Sequence, residues 1–408
     1  MSVKHNICKS LLTNSDRFFL PITKTYICGL IPIYNSTEMK IGLDLSSAEH
    51  DPAGIGQYSL SLFTELCRID NGNEYYSYTT APFLLGNAEN RPIRINEKFP
   101  AKGLRWIYKV SRDASENNLD LLISPSNHIF TQFFPRTLQF IHDLAPIYYP
   151  KFFGRIPSLK YKATCKIACK KSKGLVTISK TVQEEISSYF NIDAQKIDYI
   201  YPGLNQWMQL PPKAKSIVME EYGLDNDYIL TLSTLEPRKN HVNMLEGFKK
   251  FKKKTLSPLK FLIIGKKGWY YEEIFAKVKE LELEDEVIFL GYIPNKQLSS
   301  IISHAKLFIY MSHYEGFGIP PLEAMNLGIP TIVSDIPVFR EAYKKYANYT
   351  DPLSTDKIAL ALEETLQEKP SAALADYVRD NFSWGKSAKK LLNIINENKY
   401  TESSKFTR

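Results

Sequence analysis

The stretch "SHYEGFGIPPLEAMNLGIP", Ser312–Pro330, decides how this chain folds. It follows an apolar run, "LFIYMS", and precedes another, "PTIVSDI", both of which read as strands. Between them Gly316, Gly318, Pro320 and Pro321 crowd too closely for a helix interior. Proline suits the first helical position, where its fixed φ and missing N–H cost nothing. The stretch therefore reads as strand, glycine-rich turn, then a helix opening at Pro320. Glu315 precedes that helix and Glu323 lies about one turn inside it. The amides of Phe317, Gly318 and Ile319 would face outward, and a sugar let in by the glycines could bind them and Glu315. Glu323 suits the two hydroxyls of a ribose. The plainer alternative is a helix-capping turn with two incidental acids.

The same grammar extends in both directions. "YILTLS" is a strand, "TLEPRKN" a loop, and "HVNMLEGFKKFKKK" a helix with Asn240 as its expected N-cap. Arg238 and Lys239, with Thr234 nearby, thus stand between a strand end and a helix start. Free amides and the helix dipole favour an anion there, a diphosphate above all; otherwise the two are a solvated basic pair. "LKFLIIG", "EVIFLGYI" and their helices complete this half.

Upstream, "KIGLDLS" leads through "AGIGQY" into an amphipathic helix. Gly54, Ile55 and Gly56 resemble a dinucleotide fingerprint that fails, because Ser59 stands where its third glycine belongs. They let backbone approach a phosphate or sugar, or simply form a tight turn. "LDLLISP", "TLQFIHDL", "KSKGLVTIS" and "KIDYIYPGL" are further strands. His142 ends one of them and is either a sugar-binding group aimed into a cleft or a structural histidine. Alternating strands and helices imply parallel sheets. The expected organisation opens with a 1–38 extension, read as sequence ahead of a start at Met39 or as a loose extension, with an ordered appendage as the plainer alternative. There follow an N-terminal Rossmann-like domain over 39–210 and a C-terminal one over 211–375. A terminal helix over 376–408 packs back toward the first. The fold class is α/β, with two Rossmann-like domains facing a central cleft and ligands bound beyond the strands' carboxyl ends.

Composition narrows the partners. In 408 residues, 44% are hydrophobic, enough for two cores, yet no run reaches the about 18 apolar residues of a membrane span. The net charge of +8 fits an acidic ligand, a nucleic acid or an anionic membrane. The nucleic-acid reading rests on charge alone and is set aside. "KFFGRIPSLKYKATCKIACKKSK" (Lys151–Lys173) carries many basic residues and no acid. It is either a peripheral membrane contact or a solvated helix face. Five cysteines without a CxxC pair point to a reducing cytoplasm. Cys165 and Cys169 read as thiols on one helix face. There is no Walker A, HExxH or metal-type cluster, and Asp225-Asn226-Asp227 precedes a strand and reads as a turn.

With "EPRKN", "GKKGWYYEE", "VIFLGYIP", "YEGFGIPPLEAM" and "FSWGKSAKKLL" in order, the chain resembles the family 4 retaining glycosyltransferases of the GT-B fold. Glu315 and Glu323 match the family's E-x7-E motif. The resemblance implies a metal-independent, cofactor-free transferase using a nucleotide-sugar donor, with 39–210 as the acceptor-binding domain and 211–375 as the nucleotide-sugar-binding domain. Arg238 and Lys239 would neutralise its diphosphate, which Gly54–Gly56 would approach. Glu323 would hold the ribose, and Ile293 would lie near the base. Glu315, the Phe317–Ile319 backbone and His142 would position the sugar. "LEPRKN" with "GKKGW" most resembles the mannosyltransferase-type branch, hence GDP-mannose as donor and a glycan or lipid-linked glycan as acceptor, at the inner membrane face. Ser233 stands where some relatives carry arginine, and Arg340-Glu341 replaces a common proline-glutamate. Alternatives are a UDP-sugar-dependent glucosyl- or N-acetylglucosaminyltransferase, and a non-catalytic nucleotide-sugar-binding module.

Overall fold

Short apolar runs and amphipathic helices assemble into two parallel sheets in the computed structural model, which describes residues 38–48, 54–79, 103–126 and 128–397. The proposed 1–38 extension, apart from residue 38, lies outside the described residues, as does Ala53. The first sheet holds β1 (Lys40–Asp44), β2 (Glu74–Tyr78), β3 (Leu121–Ser124), β4 (Thr137–Phe140), β5 (Gly174–Thr177) and β6 (Ile197–Tyr199), in the order β2-β1-β3-β4-β5-β6. The second holds β7 (Tyr228–Leu232), β8 (Lys260–Ile264), β9 (Val287–Gly291), β10 (Leu307–Tyr310), β11 (Thr331–Ser334) and β12 (Asn348–Thr350), in the order β12-β11-β10-β7-β8-β9. Strand order reverses between β1 and β3, and again between β7 and β10. Such switch points are where open parallel sheets hold ligands.

Burial follows from the composition of these strands. β3, β4, β5, β10 and β11 are buried throughout, as expected of strands covered on both faces. β2, "EYYSY", and β12, "NYT", are edge strands with no simple aliphatic run, and the apolar-run reading passed over both. So did the helix Leu104–Glu116, whose Trp106 is wholly buried.

The connection between the halves is double. Tyr377, Val378 and Phe382 belong to the second sheet's core, whereas Trp384, Ala388, Leu391 and Ile395 belong to the first. The expected boundary at 375/376 therefore falls inside the helix Ala372–Asn381, and the crossing comes at Phe382–Trp384. The helix Trp384–Asn396 lies on the helix Ile55–Ile69. Tyr58 donates to the Ile200 carbonyl at 3.0 Å, and Ser387 Oγ donates to that of Tyr201 at 2.6 Å. Any side chain at Gly203 would overlap the Trp384 backbone.

The carboxyl edges of the two sheets meet. Ser179 Oγ donates to the Gly316 carbonyl at 2.8 Å, and the Leu144 amide donates to Tyr314 Oη at 3.0 Å. Trp269 Nε1 donates to the Phe152 carbonyl at 2.5 Å, and Phe152 stacks on His313 at 5.5 Å. Glu341 reaches from the second half to the first turn of the helix Lys180–Phe190. It accepts the Lys180 and Thr181 amides at 2.7 and 2.6 Å and the Thr181 hydroxyl at 2.5 Å. A carboxylate is the fitting cap for free amides at a positive helix end.

Candidate active site

The β7/β10 switch point gathers residues 76 positions apart in sequence. β7 runs into the turn Pro237–Lys239, and β10 into Met311–Gly318. Lys239 Nζ donates to Glu315 Oε1 at 2.5 Å and to Tyr310 Oη at 2.7 Å. Arg238 Nη1 pairs with Glu315 Oε2 at 2.9 Å, and its Nη2 with Glu236 Oε1 at 2.8 Å. Ser312 Oγ donates to Glu315 Oε1 at 2.6 Å. All four charged groups are buried or nearly so.

Electrostatics fix the protonation of this knot. Burial alone would raise the Glu315 carboxyl, but Arg238 and Lys239 outweigh it and bring it down to about 2. Burial and the Arg238 charge press the Lys239 ammonium below its ordinary range, while Glu315 and Glu236 oppose them. Glu323 is the opposite case. Burial pushes its carboxyl up to about 8, offset only in part by Asn205 Nδ2, which donates to Oε1 at 2.7 Å. The two glutamates of the motif thus differ in charge near neutral pH.

Several expected details are corrected. The helix is Ile319–Asn326, so Pro320 occupies its second position, after Gly318 at φ 98°. The glycines serve protein packing and do not open a way for a sugar. A methyl at Gly316 would overlap the His142 carbonyl oxygen of the opposite half, and one at Gly318 would lie 2.5 Å from Tyr343 Oη. Asn240 stands at the N-cap of the helix His241–Thr255 as expected, but it is left-handed and its side chain makes no capping bond; its side-chain Nδ2 donates instead to the Pro352 carbonyl at 2.7 Å. The Phe317 and Ile293 side chains are buried in the second core, so each can offer a ligand only its backbone. Ser233 is buried too, its Oγ 3.1 Å from His241 Nε2, and Thr234 is exposed.

The remaining expected residues take these places. His142 is buried at the end of β4, its Nε2 2.7 Å from the Pro125 carbonyl, which accepts. Burial lowers its ring below the ordinary histidine range. Gly54 caps the helix Ile55–Ile69 at φ 55° with open space beside it, Ile55 opens that helix, and Gly56 is buried. Asp227 pairs with Lys215 and Lys306 at the amino end of β7, away from the site, as befits a turn. Sequence reading missed Glu236, Tyr310, Ser312 and Asn205. Glu236 and Ser312 lie inside the quoted stretches, whereas nothing local marks Asn205 as the partner of Glu323.

Comparisons with known proteins agree with this architecture. The profile "Glycosyltransferase Family 4" matches residues 54–206, and "Glycosyl transferases group 1" matches 216–381. The O-antigen chain mannosyltransferase RfbU of Salmonella typhimurium is 34% identical over 212 residues, 52% of this chain and 56% of that protein. The match therefore spans little more than half of that relative's length. O-antigen chain mannosyltransferase B of Escherichia coli is 24% identical over 347 residues, 81% of this chain and 91% of that protein. Among solved structures, Anabaena HepE in complex with UDP and glucose superposes with a TM-score of 0.69 at 17% identity, covering 88% of this chain and 100% of that one. Matched along both sheets, the chain belongs to glycosyltransferase family 4 and has the GT-B fold.

Proposed function

We propose that this glycosyltransferase moves mannose from GDP-mannose to a lipid-linked or growing surface-polysaccharide acceptor, retaining the anomeric configuration and requiring no metal. The observation that carries the reading is the Glu315–Arg238–Lys239 knot at a sheet switch point. Its cations are already matched by Glu315 and Glu236, so an entering diphosphate shares them with carboxylates. Sharing holds the pair in place before the donor arrives, and preorganised charge of this kind stabilises a leaving group most effectively. The leaving diphosphate takes the acceptor's proton as the new bond forms on the same face of the sugar. Glu315, fixed by two ion pairs, and Glu323, largely protonated, are not a matched acid–nucleophile pair astride one bond. His142 and the Phe317–Ile319 backbone position the sugar, Gly54–Gly56 lie against the diphosphate, and Glu323 takes the ribose. The mannose assignment is supported by the two O-antigen mannosyltransferase relatives.

Thermal-shift titration with GDP and UDP tests the base, since a selective site is stabilised by RT ln(1 + [L]/Kd). Stronger stabilisation by UDP would replace GDP-mannose with a UDP-sugar, a reading favoured by the nucleotide held in the HepE structure. Proton NMR of the product, made with and without EDTA, tests the rest. An inverted anomer, or loss of transfer with EDTA, would defeat the mechanism. Donor binding without turnover would leave a binding module.

A membrane-bound acceptor accords with the surface of the first half. The helix Arg155–Lys171 exposes Ile156 (68%) and Leu159 (67%) among its lysines, and Phe133 and Tyr108 lie exposed nearby. Among the described residues no helix is long and apolar enough to cross a membrane. Sedimentation with phosphatidylglycerol vesicles should be lost on Ile156→Glu with Leu159→Glu; unchanged sedimentation would remove the membrane contact.

A further inference from the structure

The charged donor knot occupies one switch point; at the other only the Gly54–Gly56 backbone has been given a part, and the side chains at the strand ends have none. At the β1/β3 switch, Asp44 ends β1 with its carboxylate wholly buried. Oδ2 accepts from Ser126 Oγ at 2.5 Å and from Ser124 Oγ at 3.3 Å. Oδ1 accepts from the Ser46 amide at 3.1 Å and from Trp106 Nε1 at 3.3 Å. Burial would raise this carboxyl, yet His128, Ser126 and Ser46 hold it below the ordinary range, so it is an anion. His128 Nδ1 lies 3.0 Å from Ser126 Oγ, 3.2 Å from Ser46 Oγ and 3.5 Å from Asp44 Oδ2.

Proton counting orients the ring. A hydroxyl has one proton, and Ser126 gives its own to the anion. Toward His128 it can therefore only accept, so Nδ1 carries the proton. In the neutral ring Nε2 is then a bare acceptor, and it has no hydrogen bond to any described residue. The side chain is 29% exposed, unlike the sealed carboxylate behind it. Position supplies the context. Pro125, next to Ser126, accepts from His142, whose own carbonyl abuts Gly316 of the donor loop. One dipeptide and one histidine thus separate this ring from the site above.

We propose that Asp44, Ser126 and His128 form the acceptor-sugar subsite, with His128 Nε2 accepting a pyranoside hydroxyl and Asp44 acting as a positioning residue. This rests on the transferase reading. The subsite binds and orients; it removes no proton, because the leaving diphosphate does that.

The test uses the full chain, a nucleotide-sugar and three probes: octyl α-D-mannopyranoside, octyl β-D-glucopyranoside and octyl N-acetyl-β-D-glucosaminide. In His128→Asn the side-chain amide replaces Nδ1–H but nothing replaces Nε2. Loss of one hydrogen bond should raise the KM for the accepted pyranoside about 3- to 10-fold and lower the ratio of transfer to donor hydrolysis similarly. The KM for the donor should move less. Asp44→Asn, which ends the proton ordering, should shift the same ratio in the same direction. The proposal is overturned if His128→Asn leaves the acceptor KM and the ratio unchanged, or raises the donor KM as much. It is overturned too if the intact protein hydrolyses donor but neither glycosylates nor binds any probe by saturation-transfer NMR. No binding or hydrolysis of any nucleotide-sugar would instead sink the transferase reading.

Discussion

The two switch points are built from different chemistry. At β7/β10, two cations and two carboxylates are locked together in a buried knot. At β1/β3 the described residues place one carboxylate, wrapped in serine hydroxyls and ending in a half-open imidazole. The first suits a ligand that brings charge. The second suits one that brings hydroxyls. One fold thus supplies two crevices of the same topology, and the side chains at the strand ends set what each can hold.

The largest effect that would break this contrast comes from the charged knot. Lys239→Ala should reduce transfer by about 10²–10³-fold, the loss seen when a preorganised transition-state donor is removed; steady-state kinetics would show it. Glu315→Ala is a harsher change than the motif alone implies. It strands the buried Lys239 and leaves Arg238 to Glu236 alone, and breaking a buried pair costs about 3–5 kcal/mol. Its urea midpoint should fall steeply, so Glu315→Gln is the cleaner kinetic probe. A Glu315→Ala protein as stable as the parent would refute the pairing.

Next is the seam that brings the two crevices together. Gly316→Ala forces a methyl against the His142 carbonyl oxygen. Transfer should fall tenfold or more while nucleotide binding, measured calorimetrically, falls less, because the change separates the halves without altering the charged knot. Glu341→Gln should have a smaller effect. It weakens a charged cap worth about 1–3 kcal/mol across the seam, and small-angle scattering should report a larger radius of gyration. An unchanged radius would mean the cap does not hold the halves.

The smallest effect concerns pH. A Glu323 carboxyl raised to about 8 keeps its proton in the folded chain, while the unfolded chain releases it near the ordinary glutamate value of 4.5. Between those values the folded state binds more protons, so this group's contribution to stability falls as pH rises. The lowered Glu315 acts in the other sense, its contribution lost as pH falls from 4.5 toward 2. Melting temperatures between pH 5 and 8 should therefore decline less in Glu323→Gln than in the parent. Equal slopes would show that Glu323 is ionised throughout.

These predictions mark where sequence reading sufficed. Strand–helix alternation and the E-x7-E stretch were visible because each depends on local periodicity and spacing. The union of Arg238 and Lys239 with Glu315 was not, since the cations were read as awaiting a diphosphate. A counter-charge 76 residues away announces itself only when β7 and β10 pair. The glycines misled for a related reason. A residue without a side chain shows that something comes close, but not what: here it is the His142 carbonyl at Gly316 and Tyr343 at Gly318. Edge strands β2 and β12 escaped because their apolar content is aromatic and brief. Asp44 and His128 passed unremarked for want of a motif; the serines between them complete the subsite only through tertiary contact.

The helix Trp384–Asn396 makes the chain poorly divisible. Its Leu391, Ile394 and Ile395 complete the core of a half whose strands ended almost two hundred residues earlier. Cutting near residue 210 to make independent modules would leave the first piece with an open apolar face and the second with an orphan helix. A chimera that exchanges second halves between relatives should therefore keep this helix with the first half it covers, making the exchange an insertion with two junctions. The same arrangement sets the two crossings of the chain side by side, Gly203 against the Trp384 backbone and Ser387 on the Tyr201 carbonyl.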